Sequence, residues 1–268
     1  MPYADADGAR IHYEVEGAGS ETLVLIMGLG GHASEWGEDF IGELGRSARV
    51  VRMDNRGIGP SETTREAWSM LDMANDARAV LDALGVERAH VLGTSMGGMI
   101  AQTLALEHPR RVARLILMST SCGGSEAIGP ADVALALFAP APQLTLEQQR
   151  RRAIGVITGP GFAETHVDLV EHLVQLRLRV PTRGRVFNTQ LKAIMESDRS
   201  QRIAQLRLPT LVIHGTDDSL VPVGNGKLLA SRIPAARLVL LPGCGHLPHL
   251  EQPLQCARLV GDFLAAPG

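Results

Sequence analysis

The sequence predicts a single α/β domain built on a mostly parallel sheet, and three observations carry that prediction. Apolar runs of strand length alternate with longer segments of helical period along most of the chain. The runs are continuous rather than alternating, as in TLVLIM at 22–27, RVVRMD at 49–54 and TLVIHG at 210–215. That is the pattern of strands covered on both faces. Finally, Gly93-Thr94-Ser95-Met96-Gly97 stands where one such run gives way to a helical pattern.

The elements follow in order. Alternation in Arg10–Glu16 (IHYEVE at its end) predicts an early antiparallel strand, and Thr22–Met27 a buried one. Glu35–Gly45 has helical spacing, Arg49–Asp54 is a second buried strand, and Asp72–Leu84 is a helix stopped by Gly85. His90–Thr94 leads as a strand into a helix over Met96–Glu107, with Pro109 beyond it, and Arg114–Ser119 is the next strand. From 122 to 192 the alternation stops. That stretch is punctuated by Pro and Gly and shows helical patches only at Leu144–Ile154 and His166–Leu178, so it reads as a helical insertion unable to bury a core alone. The alternation resumes with the 210–215 strand, a helix at Val223–Ile233, a strand at Arg237–Leu241 and a last helix at Glu251–Leu264. Such alternation implies right-handed crossovers between parallel strands.

Composition narrows the function. The 268 residues include 45% hydrophobic ones and carry a net charge of -3, enough for a sizeable core and wrong for a polyanion partner. Nucleic acid is therefore not expected. The N-terminal MPYADADGARIHYEVEG lacks the basic start and apolar core of a secretory signal. No apolar stretch reaches the roughly 18–20 residues of a membrane span, so the cytoplasm is the expected compartment and no membrane partner is expected. Cys122, Cys244 and Cys256 are an odd, scattered set without metal-ligand spacing, and they read as small buried residues.

The chemistry centres on Ser95. In a G-x-S-x-G turn between strand and helix, the serine is presented at the top of the sheet, and Gly93 and Gly97 remove side chains that would collide. The Met96 N–H, at the helix start, can then face a developing oxyanion. A serine hydroxyl needs a base. Two later segments offer acid and histidine at strand ends, where parallel sheets place their sites: His214-Gly215-Thr216-Asp217-Asp218 and Gly243-Cys244-Gly245-His246.

Four blocks, LIMGLGG at 25–31, DNRGIGPS at 54–61, GTSMGG at 93–98, and GTDDSLVP at 215–222 with PGCGHLPHLEQP at 242–253, resemble the α/β-hydrolase superfamily in its serine carboxylester hydrolase branch. The resemblance spans Thr22 to Leu264 apart from the insertion. It implies a mostly parallel eight-stranded sheet flanked by helices, with residues 1–121 and 193–268 as the core domain and 122–192 as a helical cap. It implies a catalytic Ser95, Asp218 as the orienting acid ahead of Val221-Pro222, and His246 of the Gly-His pair as the base, with His249 facing elsewhere. Asp217 is the runner-up acid. The backbone N–H groups of Leu29 and Met96 are the implied oxyanion hole. Met27 stands where histidine is commoner, a form shared with members resembling enol-lactonases and polyketide methylesterases.

The expected reaction is hydrolysis of a small or medium carboxylic ester, methyl ester or lactone through an acyl-enzyme on Ser95, with no metal or organic cofactor. Rivals are carbon–carbon bond hydrolysis of a vinylogous diketone, cofactor-free perhydrolysis, and a triad-retaining ligand sensor. Haloalkane dehalogenases and epoxide hydrolases are disfavoured, because members of that kind resemble this sequence with an aspartate at the position of Ser95. Asp54 and Arg56 read as turn-holding residues ahead of substrate contact. A metal set of His214, Asp217, Asp218 and His246 lacks a recognisable ligand spacing. The arginines at 150, 151, 152, 177, 179, 183 and 185 read first as a solvated helix face. They leave docking of an acidic substrate or an acyl carrier protein open, as homo-oligomerisation is left open. Phe138, Phe162 and Leu173 are candidates for an apolar pocket or for packing beneath the cap.

Overall fold

The computed structural model describes residues 2–234 and 236–266. Its strands are β1 (Tyr3–Ala6), β2 (Ala9–Glu16), β3 (Thr22–Ile26), β4 (Arg49–Met53), β5 (Glu62–Thr63), β6 (Ala89–Thr94), β7 (Val112–Met118), β8 (Thr210–Gly215) and β9 (Ala236–Leu241). They form one sheet in the order β1-β2-β4-β3-β6-β7-β8-β9, with β5 paired to β2. The β1–β2, β2–β4 and β2–β5 pairs are antiparallel, and every pair from β3–β4 to β8–β9 is parallel.

Two cores, one on each face of the sheet, explain the continuous apolar runs. Along β3, Val24 and Ile26 join one core while Leu23 and Leu25 join the other. The same split separates Leu115 and Leu117 from Ile116 and Met118 in β7, and Val212 from Leu211 and Ile213 in β8. Each such side chain contributes roughly 1.5–3 kcal/mol on burial. The first core takes residues from α2 (Met70–Ala83) and α3 (Met96–Glu107), and the second from α1 (Glu38–Leu44) and α11 (Pro253–Ala265). Ser69 and Asp72 close a reciprocal cap on α2.

Between β7 and β8 lie α4 (Asp132–Leu135), α5 (Leu146–Ile157), α6 (Phe162–Thr165), α7 (Val167–Arg179) and α8 (Gly184–Met195). The segment leaves and returns at one place: Gly123 bridges Asp198, and Arg199 N–H donates to Cys122 O at 3.0 Å. Its own core of Ile154, Ile157, Val170, Leu173 and Val174 is completed by Leu247 and Leu250 from the far end of the chain, with Leu220 packed against it. After β8 come α9 (Gly224–Arg232) and α10 (Pro248–Glu251). Among the described residues no helix is long and apolar enough to cross a membrane.

Some local expectations change. The helix expected over 35–45 breaks at Gly37, where φ is +79°, into a short turn at Ala33–Trp36 and α1. The two short strands β1 and β5 and the helix α8 had no counterpart in the expected elements.

Candidate active site

Ser95 sits at the junction of β6 and α3 with φ +54° and ψ −124°. A non-glycine residue there costs roughly 1–3 kcal/mol and persists only where its surroundings enforce it. They do so here. A Cβ on Gly93 would lie 2.1 Å from Gly97 O, and one on Gly97 would lie 2.0 Å from Ile26 O, so only glycine lets the elbow pack on β3. Ser95 N–H donates to Met118 O at 2.9 Å, and Ser95 O accepts from Gly98 N–H at 2.9 Å and from the Thr120 hydroxyl at 2.6 Å.

The loop after β3 packs directly against the elbow: a Cβ on Gly28 would stand 3.0 Å from Ser95 Cβ. Gly30, at φ +67°, is pinned from both sides by the α8 end of the helical segment. Its N–H donates to Gln190 Oε1 at 2.9 Å, and its carbonyl accepts from Thr182 Oγ1 at 2.7 Å. The neighbouring Leu29 N–H and the Met96 N–H have no acceptor among the described residues.

His246 and Asp218 meet after β9 and β8. His246 Nδ1–H donates to Asp218 Oδ2 at 2.8 Å, which leaves Nε2 as the acceptor nitrogen. Asp218 Oδ1 accepts from the N–H groups of Leu220 at 2.9 Å and Val221 at 2.8 Å. Burial alone would raise the Asp218 pKa. The His246 charge, hydrogen bonds from His214 and His246, and the Val221 N–H outweigh it and bring the value down to about 2. Asp217 is exposed and accepts from the Thr216 hydroxyl at 2.6 Å, so of the two adjacent acids it is Asp218 that meets His246. His214 is buried. It donates Nε2–H to Val221 O at 2.7 Å and so braces the acid's loop rather than facing the cavity.

One residue with no earlier signal holds the histidine loop. Glu251 Oε2 accepts from Gly245 N–H at 2.9 Å and from Gly159 N–H at 2.7 Å, while Oε1 accepts from Leu247 N–H at 3.1 Å. The carboxylate thus grips the backbone on both sides of His246 and ties it to the chain following α5. His246 N–H itself donates to Ile157 O at the end of α5, at 2.6 Å.

Ser95 and His246 share a cavity of about 350 Å³, within the range of small-molecule pockets. Its walls include Met27, Gly28 and Leu29 from the β3 loop and Leu137, Phe138, Ile157 and Phe187 from the helical segment. Phe138 is therefore a pocket residue. Leu173 is buried in the segment's own core, and Phe162 stacks on His166. His249 was expected to face elsewhere, yet it lines the same cavity from a buried position against Trp36 and Phe40. Burial first, then the nearby His246 charge, lowers its pKa to about 3. Of the seven arginines, Arg150 and Arg177 line the cavity, while Arg151, Arg152, Arg179, Arg183 and Arg185 are exposed.

Asp54 and Arg56 are buried elsewhere as turn-holders. Asp54 joins His12 Nδ1 at 2.8 Å and Ala33 N–H at 2.7 Å, and Arg56 pairs with Asp76 at 2.6 Å. Cys122, Cys244 and Cys256 are buried free thiols. No group of three or more His, Cys, Asp or Glu side chains is placed to hold a metal ion among the described residues.

A mostly parallel sheet with a strained serine at a strand-to-helix turn and an Asp–His pair just after two later strands defines an α/β-hydrolase. The chain belongs to that family, whose description is the alpha/beta hydrolase fold and whose sequence profile matches residues 21–253. The chain is 32% identical to a 2-hydroxy-6-oxononadienedioate/2-hydroxy-6-oxononatrienedioate hydrolase of Paraburkholderia phymatum, covering 95% of this chain and 91% of the relative. Among solved structures it is similar to the enol-lactonase of Burkholderia xenovorans LB400, with TM-score 0.86 and 25% identity over 99% of this chain and 100% of that one. It is also similar to the esterase RhEst1 of Rhodococcus sp. ECU1013, with TM-score 0.85 and 28% identity over 99% and 98%.

Proposed function

We propose that the protein hydrolyses carboxylic esters, of small or medium acyl size, methyl-ester or lactone type, through an acyl-enzyme on Ser95. The observation that carries this reading is the strained Ser95 opening onto one cavity with a His246 already oriented by Asp218. In this scheme Ser95 Oγ attacks the substrate carbonyl and its proton passes to His246 Nε2. The C–O bond to the alcohol then breaks, and His246 returns the proton to the leaving oxygen. Water, deprotonated by His246, attacks the acyl carbon and frees Ser95. Asp218 keeps the imidazole tautomer fixed and stabilises the imidazolium. The Leu29 and Met96 N–H groups would receive the oxyanion, and the α4–α8 segment would act as a cap that shapes the acyl pocket and excludes water.

Similarity to the enol-lactonase and the esterase supports ester chemistry. Similarity to the oxononadienedioate hydrolase favours a second reading, cleavage of a carbon–carbon bond next to a ketone by the same residues. A kinetic panel separates them: p-nitrophenyl and methyl esters and a lactone, against a vinylogous 1,5-diketone. The proposal expects kcat/KM at least tenfold higher for one of the esters or the lactone. The reverse order would replace it with the carbon–carbon reading.

A further inference from the structure

The cavity holds an unbalanced charge. Besides its two histidines, its charged wall residues are Glu35, Arg150 and Arg177. The Glu35 carboxylate is fully used: Oε2 accepts from Arg177 Nε at 2.9 Å and Nη2 at 2.7 Å, and Oε1 accepts from His32 N–H at 3.1 Å. Arg177 is thereby neutralised, and Arg150 is left over. Among the described residues no carboxylate stands within ion-pair distance of it, and its Nε is buried without a hydrogen-bond partner. Burial, then repulsion from Arg177, lowers its pKa against a weaker attraction from Glu35. A half-buried guanidinium near a second one, with the nearby carboxylate already bonded to that second one, can take one more negative charge.

The helix supplies the geometry. Arg150, Ala153 and Ile157 line the cavity from one face of α5, at the spacing that stacks side chains on a helix. Ile157 is the residue whose carbonyl accepts from His246 N–H. Arg150 therefore starts about 10 Å along the helix axis from the histidine end of the cavity. The next two arginines, Arg151 and Arg152, fall on the exposed side, and Arg151 is paired with Glu147 and Glu171. The basic run is thus one inward cation and two outward ones.

We infer that Arg150 is the anchor for a carboxylate carried by the substrate, several bonds from the carbonyl that Ser95 attacks. This rests on the reading of the cavity as the ester site and narrows its substrate class to half-esters or lactones bearing one carboxylate. A single excess positive charge suits a carboxylate better than a dianionic phosphate. The planar fork of Arg150 can meet both carboxylate oxygens, while Leu137, Leu220 and Leu247 contact the chain between the two ends.

Calorimetric binding to the full-length Ser95→Ala protein tests this without turnover, using monomethyl adipate and its uncharged counterpart dimethyl adipate. The expected result is that the half-ester binds about ten- to a hundredfold more tightly, the size of a charge-assisted hydrogen bond. Adding Arg150→Met should erase that preference, and adding Arg150→Lys should keep part of it. Equal affinities, no detectable binding of either ester, or a preference that survives Arg150→Met would overturn the inference. The same two esters offered to the Ser95 protein separate this inference from the wider reading. Charge-selective binding without turnover of any ester would sink ester hydrolysis and leave the anchor standing. Turnover without charge selectivity would do the opposite.

Discussion

Gln190 accepts a hydrogen bond from Gly30 N–H at 2.9 Å across 160 positions of sequence, and it does so from a fully buried position. With Thr182 on the Gly30 carbonyl, it fixes the peptide next to the Leu29 N–H. The helical segment thus sets the loop that faces Ser95. Replacing Gln190 with Ala should lower kcat about tenfold with KM changed less than threefold, because the donor geometry matters most in the transition state. Steady-state kinetics on a p-nitrophenyl ester checks this. A loss confined to KM would mean that Gln190 only shapes the pocket.

The two neighbouring acids should behave very differently. Asp218→Asn replaces the group that orients His246 and should lower kcat by about three to four orders of magnitude. Asp217→Asn alters an exposed side chain bonded only to Thr216 and should stay within about threefold. Comparable losses from both would remove Asp218 from its role.

Glu251 grips three backbone N–H groups around His246 with two oxygens. An amide in its place presents one oxygen and two competing hydrogens. Glu251→Gln should therefore destabilise the protein by about 2–4 kcal/mol, read as a lower urea midpoint at unchanged slope. It should also lower kcat by loosening the histidine loop. An unchanged midpoint would show that the three contacts contribute nothing net.

Acid should weaken the protein over two successive pH ranges. The unfolded chain binds a proton at His249 near its ordinary value of about 6.5, whereas burial holds the folded side chain at about 3. Between those values the unfolded state carries the extra proton, so stability falls as pH falls, by about 1.4 kcal/mol per unit. The Asp218 contribution has the same direction at lower pH. Its folded value of about 2 lies below the ordinary carboxylate, so its stabilisation is present above about pH 4 and is lost on the way down to 2. His249→Phe should flatten the urea-midpoint profile between pH 6.5 and 4 relative to the parent. Parallel profiles would place the acid sensitivity elsewhere.

What the sequence disclosed follows from what is local. The helix over Met96–Glu107 and the strand at 210–215 appear with the expected bounds, because apolar continuity and the Gly-x-Ser-x-Gly turn are local signals. The preference for Asp218 over Asp217 as the acid rests on the resemblance; in the structure Asp218 is the one bonded to His246. The helix at 184–195 does carry an apolar face, with Val186, Phe187, Leu191, Ala193 and Ile194 at helical spacing, but it begins at Gly184 with no side-chain cap to mark its start. The jobs of Gln190 and Glu251 were unreadable for another reason. Their partners are backbone groups, 160 positions away for Gln190 and for Glu251 both nearby and 92 positions away, and backbone groups leave no trace in residue type. Likewise nothing in the run Arg150-Arg151-Arg152 says which arginine turns inward. Helix phase against the cavity decides it.

Ser95 as the nucleophile is open to a direct test. Mass spectrometry after reaction with a fluorophosphonate, paired with the turnover of Ser95→Ala on p-nitrophenyl butyrate, tests it most directly. A nucleophilic Ser95 gives a single adduct on the peptide that carries it, inactivation in proportion to labelling, and a loss of at least about three orders of magnitude in the variant. Ester turnover within tenfold of the parent in Ser95→Ala would contradict it.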